Sequence, residues 1–335
     1  MHITHLSYFL PEKTLTNDDL AIEYESNWNS KKIYKKTGIK SRHIATTETT
    51  SHLAVQAAEK LFSESGFPKD KIDFLLLCTQ SPDYFLPTTA CIVQDILGLP
   101  TSCGAFDFNL GCSGFVYGLA ITKGLIAGGM AKNVLLLTVE TYTKYIHPKD
   151  KSVRTIFGDG AAATLITHEE GDPCKIGEFV FGTDGKGASN LIVPAGAMAM
   201  PKSEETAKER VDEQGNVRSL NNLYMNGPEI FNFTLDIVPD TVKSLLARAK
   251  LSMDDIDLFV FHQANKFMLD SLRDKIGVPD EKFYVNMEDK GNTVSATIPI
   301  AMKDALDEGR IRRGDKLMLV GFGVGYSWAG CTVEW

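Results

Sequence analysis

Residues 105–118 have the sequence AFDFNLGCSGFVYG, and this stretch decides the fold. The apolar and aromatic residues at 105–110 predict a strand, and a long helix to about Gly128 follows the Gly-Cys-Ser-Gly turn. Small residues on both sides of Cys112 permit a tight turn that exposes its thiol at the helix N-terminus. The helix dipole and free N–H groups favour the thiolate there, so Cys112 is a candidate nucleophile. The alternative is a buried structural cysteine.

The flanking sequence alternates short apolar runs with helical patterns, which is typical of an α/β protein. Strands are predicted at 72–77, 133–139 and 161–166, and a helix at 87–97.

The second half of the chain repeats this order. It predicts strands at 257–261, 283–286 and 316–320, with helices at 266–275 and from the turn at 291 to about 309. Cys112 lies 23 residues before Leu135, and Asn292 lies 25 residues before Leu317. The matching order indicates a duplicated domain in which Cys112 and Asn292 are equivalent.

Residues 183–228 break the pattern, being rich in Gly, Ala, Met and charged residues. We predict halves at 1–175 and 229–335, separated by an excursion at 176–228. This excursion is either a lid over the substrate entrance or a mobile surface insertion.

His262 ends a predicted strand in LFVFHQAN, and Asn292 lies in a turn before a helix in KGNTVS. A structural histidine and a turn or N-cap asparagine are the alternatives. Equivalent strand ends of packed α/β halves converge on one crevice, so Cys112, His262 and Asn292 are predicted to meet there.

The glycine run 321–330 either brings a backbone N–H to the thiol as part of an oxyanion hole or forms a plain hairpin.

Bulk composition limits the class of protein. The 335 residues are 43% hydrophobic and 23% charged, enough for a large core, and the net charge of −8 argues against a nucleic-acid partner. The six cysteines form no C-x-x-C pair, and MHITHLSYFLPEK lacks the features of a secretory signal. We therefore expect free thiols and a cytoplasmic location. No apolar run approaches the length of a membrane span, so no membrane insertion is expected.

At these motifs the sequence resembles the β-ketoacyl-acyl-carrier-protein synthase III family of thiolase-like condensing enzymes. The resemblance covers nearly the whole chain outside 183–228 and rests on the following segments: TGIKSRHI (37–44), FDFNLGCSGFVYGL (106–119), RTIFGDGAAATLI (154–166), FHQAN (261–265), GNTVSATIP (291–299) and the terminal glycine cluster. It implies a five-layered αβαβα arrangement of the two halves.

The resemblance also implies roles for individual residues. Cys112 would accept the acyl group, while His262 and Asn292 would hydrogen-bond the extender's thioester oxygen as carbon dioxide leaves. The backbone N–H groups of Cys112 and Val324 would form the oxyanion hole. Three residues would line the substrate pocket: Leu86, Phe157 and Phe322. The partners implied are acyl carrier protein, acyl-coenzyme A and malonyl thioesters, and a second copy of the chain in a homodimer. No cofactor or metal is implied.

Several positions depart from the family pattern. Lys32 occupies the usual place of a tryptophan, with Trp28 nearby, and Lys36 and Lys151 replace arginines. These departures favour a carrier protein over coenzyme A as the acyl donor and leave both open. Lys266 and Phe267 stand where a docking arginine is frequent. Lys266, Arg273 and Lys275 form either a basic docking patch or a solvated helix face.

Two further departures concern the active site. Val324 replaces a glycine, and a β-branched residue resists positive φ. Leu86 replaces a larger aromatic that limits the acyl pocket across the dimer, which predicts room for a longer or branched starter.

Other functions share some of these features. A thiolase needs a second cysteine just before the terminal glycine run, where this chain has Met-Leu-Val at 318–320. An ester-forming acyltransferase of the same fold is a further alternative. A papain-like protease has the same Cys, His, Asn order but does not explain the duplicated halves. A non-catalytic partner subunit is expected to lack one of the three residues.

Overall fold

The structure is a computed structural model that describes residues 1–24 and 28–335. The first half contains β1 (His2–Phe9), β2 (Thr14–Thr16), α1 (Asn17–Tyr24), α2 (Ser30–Thr37), β3 (Ser41–His43), α3 (Thr50–Ser65), β4 (Phe74–Cys78), α4 (Thr89–Leu97), β5 (Gly104–Phe108), α5 (Gly114–Ala127), β6 (Asn133–Glu140), α6 (Lys151–Arg154) and β7 (Gly160–Thr167). The second half contains β8 (Ile176–Thr183), β9 (Leu191–Ile192), β10 (Arg210–Val211), β11 (Val217–Arg218), β12 (Tyr224–Met225), α7 (Gly227–Ala249), β13 (Leu258–Phe261), α8 (Lys266–Ile276), α9 (Thr297–Asp307), β14 (Lys316–Gly323) and β15 (Ser327–Glu334).

Two mixed sheets form the framework. The first has the order β1-β7-β6-β4-β5 and the second the order β13-β14-β15-β8. The central strands β4 and β6 are parallel and almost wholly buried, as expected from their continuous leucine-rich sequences. Both faces of these strands must therefore be covered by helices.

The helices divide the molecule into five layers. Helices α3 and α4 cover the outer face of the first sheet, and α7 packs on the outer face of the second sheet with α8 against it. Helices α5 and α9 lie between the sheets and contact strands of both. The predicted αβαβα arrangement is therefore confirmed, and the two inner helices are those that follow Cys112 and Asn292.

The sheet topology confirms the duplication and corrects the predicted boundary. Strands β1, β7, β6 and β4 of the first sheet correspond in order to β8, β15, β14 and β13 of the second. Strand β8 pairs antiparallel with β15, so residues 176–183 belong to the second half and not to an excursion between the halves. Local sequence patterns do not predict this pairing, because β15 lies about 150 residues after β8 in the chain.

A second correction concerns residues 283–286, which were predicted to form a strand. Only an isolated bridge between Phe283 and Phe259 is present, at the position equivalent to β5. The segment is buried at Phe283 and Tyr284, so its apolar character reflects packing and not a full ladder of hydrogen bonds.

The rest of the predicted excursion, residues 184–228, contains short pairs of strands. Strands β9 and β12 pair antiparallel, as do β10 and β11. In the described residues, no helix combines the length and apolar character that crossing a membrane requires.

Candidate active site

Cys112 lies in the turn between β5 and α5. The Gly114 N–H donates to the carbonyl of Gly111 at 2.8 Å, which closes the turn and leaves the cysteine 5% exposed. The end of β14 passes directly over the sulfur: a Cβ atom on Gly323 would lie 2.9 Å from Sγ, closer than real contacts allow. Glycine at 323 is therefore required for the backbone to approach the thiol.

The backbone N–H groups of Cys112 and Val324 act on the sulfur so as to lower the pKa of its thiol, against the effect of burial. Val324 does this without the strain expected of a β-branched residue. In the described part of the chain, the non-glycine residues with positive φ are Lys250 and Val294. The role of the Cys112 and Val324 N–H groups as an oxyanion hole stays a prediction.

Burial opposes the thiolate that the helix N-terminus is expected to favour. Burial, followed by the nearby charge of Glu140, raises the pKa of the Cys112 thiol to about 12, against the lowering effect of the two N–H groups. Desolvation penalises the charged sulfur more than the start of α5 stabilises it. Burial therefore disfavours the resting thiolate.

His262 follows the last residue of β13, and its backbone N–H donates to Val320 of the neighbouring strand at 2.9 Å. The ring is buried, packs edge-on against Phe322 with 5.5 Å between ring centroids, and has its pKa lowered to about 3 by desolvation. The imidazole is therefore neutral and carries a single N–H.

Asn292 is held by backbone and side-chain contacts. Its N–H donates to the carbonyl of Ile156 and its carbonyl accepts from Gly158, so it bridges the two halves beside Phe157. Its side-chain Oδ1 accepts the N–H of Val294 at 2.9 Å. This contact fixes the orientation of the amide and leaves Nδ2 as the donor that faces His262.

Nδ2 of Asn292 lies 3.4 Å from Nε2 of His262. This separation is longer than an ordinary hydrogen bond. It suits two donors that lie side by side and aim at a third atom.

Sequence reasoning missed Thr297, the first residue of α9. Its Oγ1 lies 2.7 Å from Nδ1 of His262 and 3.1 Å from the carbonyl of Val294. A hydroxyl has one proton to donate. When that proton goes to Nδ1, the imidazole carries its own proton on Nε2, the nitrogen beside Asn292; when it goes to the Val294 carbonyl, Nδ1 is the donor and Nε2 accepts from the Asn292 amide.

Glu140, at the end of β6, was also missed. Its carboxylate accepts from the Ser81 hydroxyl at 2.9 Å, the Ser295 hydroxyl at 3.1 Å and the backbone N–H of Gln80. It therefore joins the loop after β4 to the turn that carries Asn292. Burial raises the pKa of this carboxyl to about 8 despite these donors. A glutamate at the end of an apolar strand gave no sequence signal of burial.

A cavity of about 720 Å³ opens on Cys112, His262 and Asn292 together. Phe157 and Phe322, two of the residues predicted for the substrate pocket, line it. Leu86 does not: it is 82% exposed on the surface of the single chain. The volume falls in the range typical of small-molecule sites.

The residues predicted for docking fall into two places. Trp28, Lys36 and Lys151 line a groove of about 290 Å³ that shares Ser152 and Ile156 with the cavity, and the ammonium groups of Lys32 and Lys36 lie over the Trp28 ring.

Lys266 and Arg273 line a separate polar pocket. Lys266 pairs with Asp270 at 2.8 Å, and Arg273 pairs with Asp274 and Asp280. Neighbouring carboxylates thus offset the charge of this helix face, which does not favour a strongly basic docking patch.

Comparisons with known proteins agree with this geometry. The family model for 3-oxoacyl-[acyl-carrier-protein (ACP)] synthase III matches residues 106–185, and that for its C-terminal part matches residues 246–335. The β-ketoacyl-[acyl-carrier-protein] synthase III of Caldanaerobacter subterraneus subsp. tengcongensis is 36% identical over 330 residues, which are 98% of this chain and 95% of that protein.

Two solved structures extend the comparison. A 2.1 Å crystal structure of a 3-oxoacyl-(acyl-carrier-protein) synthase III has a TM-score of 0.98 and 54% identity, covering 100% of this chain and 99% of that one. The priming β-ketosynthase of the R1128 polyketide biosynthetic pathway has a TM-score of 0.86 and 28% identity, covering 99% and 95%. The matched segments contain Cys112 in the first half and His262 and Asn292 in the second.

Proposed function

Because the chain belongs to the β-ketoacyl-acyl-carrier-protein synthase III family, and is therefore an acyltransferase that catalyses decarboxylative condensation, we propose that Cys112 carries the acyl group while His262 and Asn292 drive the loss of carbon dioxide. The observation that carries this assignment is the single cavity on which all three side chains open.

In the first step, the sulfur of Cys112 attacks the carbonyl carbon of an acyl thioester. The carbon–sulfur bond to the carrier breaks, and the carrier leaves as a thiol that takes up the proton lost by Cys112. The N–H groups of Cys112 and Val324 stabilise the oxyanion of the tetrahedral intermediate. The product is an acyl thioester on Cys112.

In the second step, a malonyl thioester enters the emptied cavity. Cleavage of its bond to the carboxylate releases carbon dioxide and leaves an enolate. A neutral imidazole N–H and the Asn292 amide N–H donate to the enolate oxygen without adding a competing charge. The enolate carbon then attacks the Cys112 thioester, which releases a 3-oxoacyl thioester and returns the thiolate to be protonated.

Partners and location follow from the same chemistry. Acyl carrier protein delivers the malonyl group, and either a carrier protein or coenzyme A delivers the starter through the groove at Trp28 and Lys36. We place the enzyme in the cytoplasm, where these thioesters are made.

A homodimer is supported by two exposed features. Strand β5 ends the first sheet with one edge unpaired in the described chain, and the adjacent Tyr84, Phe85 and Leu86 are 62%, 74% and 82% exposed. An apolar surface of this kind beside an open edge is typical of an interface.

The alternatives have less support. Among the described residues that line the cavity, Cys112 is the only cysteine. Cys331 is buried in β15 and does not line the cavity. The cavity therefore lacks the second cysteine that a thiolase needs as a base. A papain-like protease does not have this family membership or this fold. A non-catalytic subunit would not need all three side chains in one cavity.

Substitution at two positions tests the separate roles. We expect Cys112→Ala to abolish acylation, whereas Asn292→Ala retains acylation and lowers malonyl decarboxylation by about 10²- to 10³-fold. Mass spectrometry of the Cys112 peptide measures the first step, and release of labelled carbon dioxide measures the second. The exposed Cys91, changed to alanine, is the matched control. Equal loss of both steps in Asn292→Ala would show that the assigned roles are wrong.

A further inference from the structure

The hairpin formed by β10, β11 and their connecting turn reaches the same cavity as the nucleophile. Asp212, Glu213, Gln214, Asn216 and Arg218 all line the cavity that opens on Cys112. The hairpin belongs to the excursion that sequence patterns left without an assigned structure. It therefore forms a wall of the substrate site and is not a detached surface insertion.

Arg218 fixes this wall to the body of the molecule. Its guanidinium pairs with Asp150 at 3.1 Å and with Asp212, and it stacks over the Tyr224 ring with 5.2 Å to the centroid. The Asp150 side chain is 1% exposed and that of Arg218 is 15% exposed. An ion pair with this little solvent holds its partners in a defined geometry.

The two carboxylates each organise a different element. Asp212 accepts the backbone N–H groups of Gln214 and Asn216, at 3.0 and 2.8 Å, and so shapes the hairpin tip. Asp150 accepts the N–H of Ser152 at 3.0 Å and begins α6. Arg218 therefore links the hairpin tip to the helix whose Ser152 also lines the cavity.

The hairpin tip lies where the cavity meets the outer groove. Gln214 and Asn216 line both spaces, as do Ser152 and Asn265. The exposed side-chain amide of Gln214 can pair with an amide group of a bound molecule, whereas Nδ2 of Asn216 already donates to Asp212 at 3.0 Å. A thioester carrier arm ending in pantetheine has two amides between its sulfur and its phosphate, and it must pass this junction to reach Cys112.

We propose that the hairpin held by Arg218 is a specificity-determining element that binds the pantetheine arm of the incoming thioester, a role that rests on the proposed function. Arg218 acts as a positioning residue, because it touches the hairpin and α6 and not the reacting atoms. We place the hairpin contacts at the junction of the cavity with the outer groove, on the part of the arm beyond the thioester. They therefore contribute to binding of complete donors and not to the chemistry at the sulfur.

The test compares donors with and without the full arm. The probes are acetyl, isobutyryl and octanoyl thioesters of coenzyme A and of N-acetylcysteamine, and the acyl group that labels Cys112 fastest is used for kinetics. We expect Arg218→Met and Gln214→Ala to raise KM for the coenzyme A thioester by about tenfold, with kcat within about twofold. KM for the N-acetylcysteamine thioester should stay unchanged, and Arg218→Lys should restore part of the loss.

The matched control is Arg210→Met on the same hairpin. Arg210 is exposed, pairs with Glu205 at 3.9 Å and does not line the cavity, so its loss should leave both KM values unchanged. Gln214 is at the exposed tip, so its substitution remains informative even if Arg218→Met fails to fold.

Each outcome separates this role from the proposed function. Equal KM changes for both donors, or no change with either Gln214→Ala or Arg218→Met, would overturn the hairpin role while Cys112 acylation still supports the enzyme's function. Failure of every thioester to acylate wild-type Cys112 would overturn both.

Discussion

Glu140 shares the buried interior around Cys112 and influences the protonation of its sulfur. Its carboxyl has a pKa of about 8, so it is mostly neutral at pH 7 and becomes charged as the pH rises. A negative charge disfavours ionisation of a neighbouring thiol. The reactivity of Cys112 should therefore depend on the state of Glu140 above pH 8.

We expect Glu140→Gln to increase alkylation of Cys112 by iodoacetamide about threefold to tenfold at pH 9, because the variant lacks the charge that raises the thiol pKa. The rates of variant and wild type should converge below pH 7, where Glu140 is protonated. Rates measured from pH 6 to 10 check this.

Asp159→Asn is the matched control for Glu140→Gln. Asp159 is another fully buried carboxyl, whose pKa burial raises to about 6, and its charge raises the pKa of Glu140 without acting directly on the Cys112 thiol. Asp159→Asn should therefore let Glu140 ionise at lower pH, while its alkylation rate at pH 9 matches that of the wild type. A Glu140→Gln profile that also coincides at pH 9 would show that the carboxylate does not act on the sulfur.

At the scale of elements, the turn before α9 organises both hydrogen-bond donors of the decarboxylation step. Gly291 has φ 72°, and a Cβ there would lie 2.9 Å from the carbonyl of Ile156. Val294 has φ 55°, a strained conformation for a β-branched residue. Its N–H holds the Asn292 amide and its carbonyl faces Thr297. The strain lies where the turn must present these groups.

We expect Thr297→Val to lower malonyl decarboxylation by at least about tenfold while Cys112 acylation remains, because Nδ1 of His262 loses the hydroxyl that sets its tautomer. Labelled carbon dioxide release and adduct mass measure the two steps. Thr297→Ser retains the hydroxyl and should keep most of the activity. If Thr297→Val decarboxylates at the wild-type rate, the hydroxyl does not set the tautomer.

At the scale of the whole molecule, pairing of two chains along β5 would bring each exposed 84–86 segment towards the other chain. Leu86 is exposed in one chain and can affect an acyl pocket only as part of the partner subunit. The chain should therefore elute at twice its own mass in size-exclusion chromatography with light scattering.

We expect Leu86→Trp to slow Cys112 acylation by octanoyl and isobutyryl thioesters about tenfold relative to acetyl, since a larger side chain shortens the partner's acyl pocket. Acylation rates for the three donors measure the effect. Ile22→Trp, at another exposed apolar position that is distant from β5 in sequence, is the control. Unchanged donor preference in Leu86→Trp, or a monomer in solution, would show that the dimer assignment is wrong.

Most of the order of helices and strands, the duplication and the three residues at strand-end turns could be predicted from the sequence alone. These features depend on local periodicity and small residues, which are visible along the chain. The folded structure was needed to show that burial disfavours the Cys112 thiolate, that β8 belongs to the second sheet and that the Arg218 hairpin lines the cavity. Desolvation, strand pairing and ion pairs depend on residues far apart in the sequence, so local patterns do not contain them.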